Sequence, residues 1–450
     1  MAGPPLESDE SGIVANLGRP RSVLVVGQRV AGIASAARAR GSHVTAVELD
    51  PDAFDSARDA ADAVYRGKPT AALDAVPAGR FDLVIARSLS DALERTLPAM
   101  VSRLTDGGHV LLTQRAGREV RDATAVQLEH AGLELMRVDP GPHAFRSRAP
   151  VKRASGKPSA PDDIVPISEV QADQRRAAAL GIRRALHGMA RVIASTGGRT
   201  DDDLVFVARV PPKKGPLSLT IGMLTLNEKE SVERMIGDIR RVVRDAKILL
   251  VDSSSDETPT IAEAHGARVV RQLPPRGHGP AMERLMYEAA LETDALIYLD
   301  CDFTYPVEVI PRIHDLLEAG ADVVNASRTA KYPEAMPIAN FLANRVFAGT
   351  AEIVHGVPTT DVHSGMRGYR SSVIRAFDFS GEGDALPLDT LILPARSNYE
   401  VVEFPIPYQE RVGVSKLAKL RGTLWTFIRI AGAIGEGDRV RRNRHYRLEV

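Results

Sequence analysis

A chain of 450 residues with 44% apolar and 26% charged residues has an ordinary globular composition, long enough for two domains or three small ones. Its 58 Lys and Arg balance 58 Asp and Glu, so no overall field argues for a nucleic-acid partner. The single Cys301 excludes an internal disulfide framework and fits a reducing, cytoplasmic compartment. The first residues lack a basic stretch followed by an apolar one, and no apolar run approaches the roughly 18 residues that a membrane helix needs. A soluble protein, resting at most on a membrane surface, is expected.

In chain order, residues 1–18 are expected to be a disordered start. Ser22 to Gly27 (SVLVVG) predicts a buried parallel strand, followed by a helix (31–40), a strand (43–49) and a helix from Pro51. Strands at 81–86 (FDLVIA) and 108–114 (GHVLLTQ) flank a helix at 91–104, and the runs 133–138 and 204–210 are expected to close the sheet as a late antiparallel pair. Strands alternating with helices at this spacing predict a doubly wound α/β sheet. The domain is placed at 19–212, with an insertion at 141–200 that is Pro- and charge-rich and then helical over 168–195.

This first domain resembles the class I S-adenosylmethionine-dependent methyltransferases. The carriers are VLVVG, Glu48 ending the second strand, FDLVIARSLSDALE and the LTDGGHVLL turn. The resemblance implies a glycine-rich turn where the backbone meets the cofactor. Here that turn reads GQRVAG, with Arg29 where a second glycine is expected. S-adenosylmethionine is therefore not expected to bind, and the domain is expected to act as a scaffold.

PPKKGP (211–216) is a stiff, charged linker, and the second domain is placed at 213–435, ahead of a basic tail at 436–450. LSLTIGMLTLNEKE predicts strand, turn and helix start, with Asn227 and Glu228 as caps. KILLVDSSSDET predicts a strand ending on Asp252, ARVVRQ a strand, and RGHGPAMERLMYEAALE a turn with Gly277 and Gly279 leading into a helix. ALIYLDCDFTYP then runs an apolar strand into Asp300 and Asp302. If the backbone stays extended through Cys301, both carboxylates project to one side. Carboxylates about 4 Å apart repel by roughly 4 kcal/mol at an effective dielectric near 20. A divalent cation removes that cost, and magnesium favours one or two carboxylates plus phosphate oxygens. Two further D-x-D triplets, Asp50/Asp52 and Asp201/Asp203, have no phosphate-binding partners downstream.

The order of these parts resembles glycosyltransferase family two, with the GT-A fold, and within it the dolichyl/polyprenyl-phosphate sugar synthase branch. The likeness covers about 200 residues on the motifs TLNEKE, VDSSSDET, RGHGPA, DCD, DVHSGMRGYR and ERVGVSKL. It implies nucleotide-sugar contacts at Asn227, Glu228, Asp252, Asp256, Gly277, Gly279 and Asp300. A metal ion, Mg²⁺ or Mn²⁺, is implied on Asp300 and Asp302. Phosphate or acceptor contacts are implied at Ser364, Arg367, Arg411, Ser415 and Lys416. Asp389 is the candidate base and Asp361 a second one, or a partner orienting Arg367. His363 is a metal-shell candidate, more simply a supporting residue, and Cys301 is read as packing. The resemblance implies an inverting, metal-dependent transfer from a nucleoside diphosphate sugar to a phosphate or hydroxyl acceptor. That acceptor is a small molecule or a lipid phosphate, with peripheral membrane contact through an amphipathic segment at 417–434. The alternatives are a bifunctional methyltransferase/glycosyltransferase and a non-catalytic nucleotide-sugar-binding protein.

Overall fold

A computed structural model describes residues 17–87, 89, 93–114, 118–140, 204–333, 336–379, 381, 386–409 and 446–448. It divides into two compact units. The first holds described residues up to 140 and from 204 to Lys213, with Arg375–Asp378; the second holds Lys214–Ile374 and the chain from Phe379 onward.

In the first unit, β1 (Ser22–Gly27), β2 (His43–Glu48), β3 (Ala63–Arg66), β4 (Phe81–Arg87), β5 (Leu104–Gln114), β6 (Glu134–Pro140) and β7 (Leu204–Arg209) form one sheet in the order β3-β2-β1-β4-β5-β7-β6. The expected alternation is present, carried by helices α1 (Ala31–Ala39), α2 (Phe54–Ala60), α3 (Pro69–Asp74), α4 (Leu93–Val101) and α5 (Arg118–His130). Pairing is parallel from β3 to β5, and β7 runs antiparallel between β5 and β6. The core of Leu24, Val26, Val84, Leu112 and Phe206 is what the continuous apolar strands dictate, since a sheet covered on both faces needs no polar side. The short pair β3–α3 was not expected from the sequence, because AVYR is a partly exposed strand without an apolar run. Asp50 accepts from the Asp52 amide at 3.1 Å and caps a single 3₁₀ turn, a structural use of that D-x-D triplet.

The second unit has the strand order β10-β9-β8-β11-β13-β12-β14-β15. The strands are β8 (Leu219–Thr225), β9 (Lys247–Asp252), β10 (Arg268–Arg271), β11 (Ala295–Tyr298), β12 (Val323–Ser327), β13 (Arg367–Arg370), β14 (Val401–Pro405) and β15 (Tyr446–Leu448). The helices are α6 (Val232–Val242), α7 (Thr258–Ala264), α8 (His278–Glu292), α9 (Ile310–Glu318), α10 (Ile338–His355), α11 (Ser371–Ala376) and α12 (Leu386–Arg396). On α6, Val232, Met235, Ile236 and Ile239 recur at helical spacing and are all buried. Each contributes about 1.5–3 kcal/mol by leaving water. They join Ile221, Met223, Leu250 and Ile297 from the sheet in one core. β13 is antiparallel to both β11 and β12, which sets Arg367 opposite Tyr298 on one side and Asn325 on the other.

Three expectations change. Asn227 and Glu228 do not cap α6; Ser231 takes the N-cap position, and its amide is donated to the Glu228 carbonyl. The strand read over 295–299 ends at Tyr298, and the backbone turns at Cys301 instead of staying extended. The basic tail reads from its charge as a disordered solubilising segment, yet its Tyr446–Leu448 pairs parallel with β14. The segments 1–16, 141–203 and 410–445 lie outside the described residues, and with them most of the expected disordered start, Asp201/Asp203, the helical stripe at 168–195 and the amphipathic segment at 417–434.

Candidate active site

The acidic turn follows β11 directly. Leu299 is buried, Asp300 half-buried, and Cys301 and Asp302 are covered. Asp302 Oδ1 accepts from the Thr304 amide at 3.1 Å and from its hydroxyl at 2.5 Å, a side-chain turn that bends the chain; Phe303 has a φ of 62°. Asp300 Oδ1 accepts from the Tyr298 hydroxyl at 2.7 Å. Its Oδ2 lies 2.4 Å from where a β-carbon on Gly365 would sit. Burial, and then the neighbouring Asp302, push the Asp300 carboxyl above its usual range. The turn thus differs from the extended geometry expected, but the two carboxylates still act on each other. Hard oxygen donors crowded at one turn suit Mg²⁺ or Mn²⁺. Among the described residues no cluster of three or more His, Cys, Asp or Glu side chains could hold a metal ion, so phosphate oxygens and water would complete the shell of an ion held there. Cys301 packs into the core, its thiol pushed up to about 12 chiefly by burial.

A cation that the sequence reading missed stands at the end of β12. Arg328 donates from Nε to Asp361 Oδ2 at 2.8 Å, and from Nη2 to Asp361 Oδ1 at 2.9 Å and to the His363 carbonyl at 2.8 Å. Nη1 makes no hydrogen bond among the described residues, and the side chain keeps 14% exposure. Tyr305 and Tyr408 flank the guanidinium, with ring centres 5.7 and 6.0 Å away. Arg328 and Asp300 are close enough to shift each other's proton affinity. A fork held rigid on one side with a nitrogen to spare is suited to an anion. Its signal in the sequence was a cation closing an apolar run, VVNASR, at the carboxyl edge of the sheet.

Several expected contacts are spent on the protein itself. Asp361 is wholly buried and held low; its burial is overcome by the charge and hydrogen bonds of Arg328, so it orients Arg328, not Arg367, and is corrected as a base. Arg367 is wholly buried. Nε donates to Asn325 Oδ1 at 2.6 Å, Nη2 to the Val362 carbonyl at 2.6 Å, and Nη1 to the Pro387 carbonyl and the Thr390 hydroxyl. It pins the first turn of α12 and is corrected as a phosphate ligand. Ser364 donates to the Ala326 carbonyl at 2.5 Å and is buried too, so its hydroxyl is likewise structural. Asp252 accepts from the Thr225 hydroxyl, from the Ser254 amide and hydroxyl, and from Arg271 Nη1. Four donors saturate the four lone pairs of a carboxylate, which leaves no capacity for a base or ribose.

Asn227, at a φ of 55°, bridges the first two turns: its amide donates to Ser254 Oγ at 2.7 Å and its Oδ1 accepts from the Ser255 amide at 2.9 Å. The Glu228 amide donates to Thr258 Oγ1 at 2.9 Å, and Asp256 accepts from the same Thr258. Burial draws the Asp256 carboxyl up, but the Thr258 bonds hold it below its usual range. Gly277, at a φ of 97° and with open space where a side chain would be, opens α8; Gly279 is buried within that helix rather than in the turn. Asp389 sits half-buried in the first turn of α12. His363 packs edge-on against Phe347 at 5.3 Å, and burial lowers its imidazole to about 4. Arg411, Ser415 and Lys416 lie outside the described residues.

In the first unit, Glu48 is 1% exposed. Its oxygens accept from the amides of Arg29 (2.9 Å), Val30 (2.9 Å) and Asp50 (2.8 Å). Arg29 has a φ of 54°, the region a glycine would take freely, but its side chain reaches Asp50 at 3.3 Å and is mostly exposed. The Arg29 side chain therefore leaves the turn rather than filling it. The turn is instead tied down by Glu48 and by Arg87, which donates to the carbonyls of Gln28 and Arg29.

Residues 220–377 match the model of glycosyl transferase family 2. A dolichyl-phosphate hexose transferase of Haloferax volcanii is 38% identical over 205 residues, 45% of this chain and 88% of the relative. A polyprenol monophosphomannose synthase of Mycolicibacterium smegmatis is 26% identical over 211 residues, 43% of this chain and 78% of the relative. Among solved structures, a glucosyl-3-phosphoglycerate synthase from Mycobacterium tuberculosis in complex with phosphoglyceric acid aligns over 48% of this chain and 80% of its own, at 20% identity and a TM-score of 0.38. With a 38% identical relative covered over most of its length, the chain belongs to glycosyl transferase family 2 and is a glycosyltransferase.

Proposed function

We propose that the second unit, with a GT-A fold, moves a sugar from a nucleoside diphosphate sugar to a phosphate acceptor with inversion at the anomeric carbon. The observation that carries this reading is the Asp300–Asp302 turn at the sheet edge with Arg328 in electrostatic range and one of its nitrogens unspent. Asp300 and Asp302 would hold Mg²⁺ or Mn²⁺, which when bound offsets charge on the departing diphosphate. Arg328 grips the acceptor phosphate, with Asp361 and the His363 carbonyl fixing its plane. Such an acceptor is an anion near neutral pH and needs no general base, in keeping with Asp361 being fully engaged. Asp389 remains the acidic candidate for a hydroxyl acceptor, its helix turn pinned by Arg367.

The relatives' names, a dolichyl-phosphate hexose transferase and a polyprenol monophosphomannose synthase, support a lipid-phosphate acceptor. So does α10, where Ile338, Leu342 and Val346 stand four apart and are 63%, 56% and 56% exposed. With Lys331 and Arg345 nearby, that stripe suits peripheral contact with an anionic membrane surface from the cytoplasm. Among the described residues no helix is long and apolar enough to cross a membrane. Leu342→Asp is expected to lower binding to anionic vesicles in a flotation assay about tenfold, and unchanged flotation would remove the membrane contact.

The first unit, methyltransferase-like in its strand–helix alternation, serves as a scaffold. Glu48, the acidic residue that ends the second strand, is occupied by three backbone amides. Calorimetric titration with S-adenosylmethionine is expected to give no heat; binding would favour the bifunctional alternative. The test of the main reading is a panel of UDP-, GDP- and dTDP-sugars with Mg²⁺ or Mn²⁺. Metal-dependent release of the nucleoside diphosphate from one of them is expected. Turnover of none would favour a non-catalytic binding protein.

A further inference from the structure

Asp300 does not stand alone. Tyr298, the last residue of β11, is 1% exposed and donates its hydroxyl proton to Asp300 Oδ1 at 2.7 Å. His278 Nε2, in the first turn of α8, is 3.1 Å from the same hydroxyl. A phenol has one proton, and here the carboxylate takes it. The imidazole must therefore donate, which fixes the tautomer with the proton on Nε2. On the other side of the carboxylate, Gly365 leaves the space that any β-carbon would take 2.4 Å from Oδ2. The Gly365 amide is meanwhile donated to the Tyr305 hydroxyl at 2.5 Å.

These contacts answer a problem set by the acidic pair. Two like charges favour rotamers that swing apart, whereas a shared cation needs both facing it. A phenylalanine would fill the space of Tyr298 equally well. The hydroxyl is a buried polar group whose partners are a carboxylate and the histidine that orients it. We propose that His278 and Tyr298 are positioning residues that hold Asp300 in the one rotamer in which it and Asp302 face a metal–diphosphate group, with Gly365 as the gap that admits it. This rests on the glycosyltransferase reading given above.

The test is calorimetric titration of the full chain with UDP and with GDP, each with Mn²⁺ and with EDTA, taking the nucleotide that binds more tightly with the metal. Groups that orient a metal ligand are typically worth 10–100-fold in metal affinity. Tyr298→Phe and His278→Ala are accordingly expected to weaken Mn²⁺-dependent binding about tenfold and to leave the EDTA arm unchanged. His278→Gln, which keeps a donor near Nε2, is expected to recover most of the loss. Rescue and the metal-specific loss are responses that a packing role would not give, and the thermal midpoint checks that each variant folds. Wild-type affinity in Tyr298→Phe, an equal loss in both arms, or a His278→Gln variant no better than His278→Ala would overturn the tether alone. If the wild type gained nothing from Mn²⁺, or Asp302→Ala bound as tightly as the wild type, the functional reading would fail and the tether with it.

Discussion

Glu48 closes a buried strand and Asp300 follows one, each ahead of a turn and one in each unit, yet their surroundings are opposite. Glu48 receives three backbone amides and is sealed. Asp300 receives one hydroxyl among the described residues, is half-buried, and is pressed by burial and a second carboxylate. A carboxylate whose lone pairs are met by its own chain is part of the scaffold; one held from a single side retains capacity for a ligand. The same distinction sorts the second unit internally. Asp252, Asp361, Ser364 and Arg367 are consumed by protein partners, whereas Arg328 keeps a nitrogen to spare.

The largest expected effect that sharpens this comparison is at Arg328. Arg328→Lys keeps the charge but loses the planar fork, and kcat/KM for transfer is expected to fall at least about a hundredfold, mainly through KM for the acceptor. Steady-state kinetics against acceptor concentration would read it, and an unchanged KM would return Arg328 to the scaffold. Arg328→Ala is the poorer probe, because it strands the buried Asp361 and costs roughly 3–5 kcal/mol of stability.

A smaller effect is expected from His363. Burial holds its imidazole near 4 in the folded chain, against an ordinary value of 6.5. As pH falls below 6.5 the unfolded state takes up a proton that the folded state refuses until about 4, so stability is lost across that window. At 1.36 kcal/mol per pKa unit, the loss is on the order of 2 kcal/mol after discounting for the ring's partial exposure. His363→Phe, which keeps the edge-on contact with Phe347, is expected to flatten denaturation midpoints between those pH values. An unaltered acid limb would show that the ring is not buried neutral.

The smallest effect on turnover is expected at Glu48. Glu48→Gln replaces an acceptor by a donor facing backbone amides and should cost about 1–3 kcal/mol of stability. Activity per folded molecule should stay within about twofold, as befits a group satisfied inside its own turn. A large loss in kcat without loss of stability would break the contrast between the two units.

The strand–helix order up to β11, apart from β3 and α3, was legible because it depends on local signals: apolar runs such as SVLVVG and KILLVD, and turn residues between them. The acidic pair was legible too, since a carboxylate pair at a strand end is unfavourable without a partner. The allocation of polar groups was not. Asp252 is taken up by Arg271, 19 residues on, Arg328 by Asp361, 33 residues on, and Arg367 by the Pro387 carbonyl, 20 residues on. Such pairings follow from the parallel register of β9 and β10, from the antiparallel β13 between β11 and β12 and from the return of the chain to α12, and no local spacing encodes them. The same reason hid Tyr298 and His278, which look like an apolar strand residue and a turn residue until the fold joins them.

The central claim is that Asp300 and Asp302 hold a divalent cation for a leaving diphosphate. Its most direct test is sugar transfer to a polyprenyl phosphate from the donor that the panel selects, comparing the wild type, the wild type with EDTA, and Asp302→Ala. The account predicts that chelation and substitution each lower the rate at least about a thousandfold, and that Mn²⁺ or Mg²⁺ restores the chelated enzyme but not the variant. Transfer that persists in EDTA, or an Asp302→Ala enzyme within tenfold of the wild type, would contradict it.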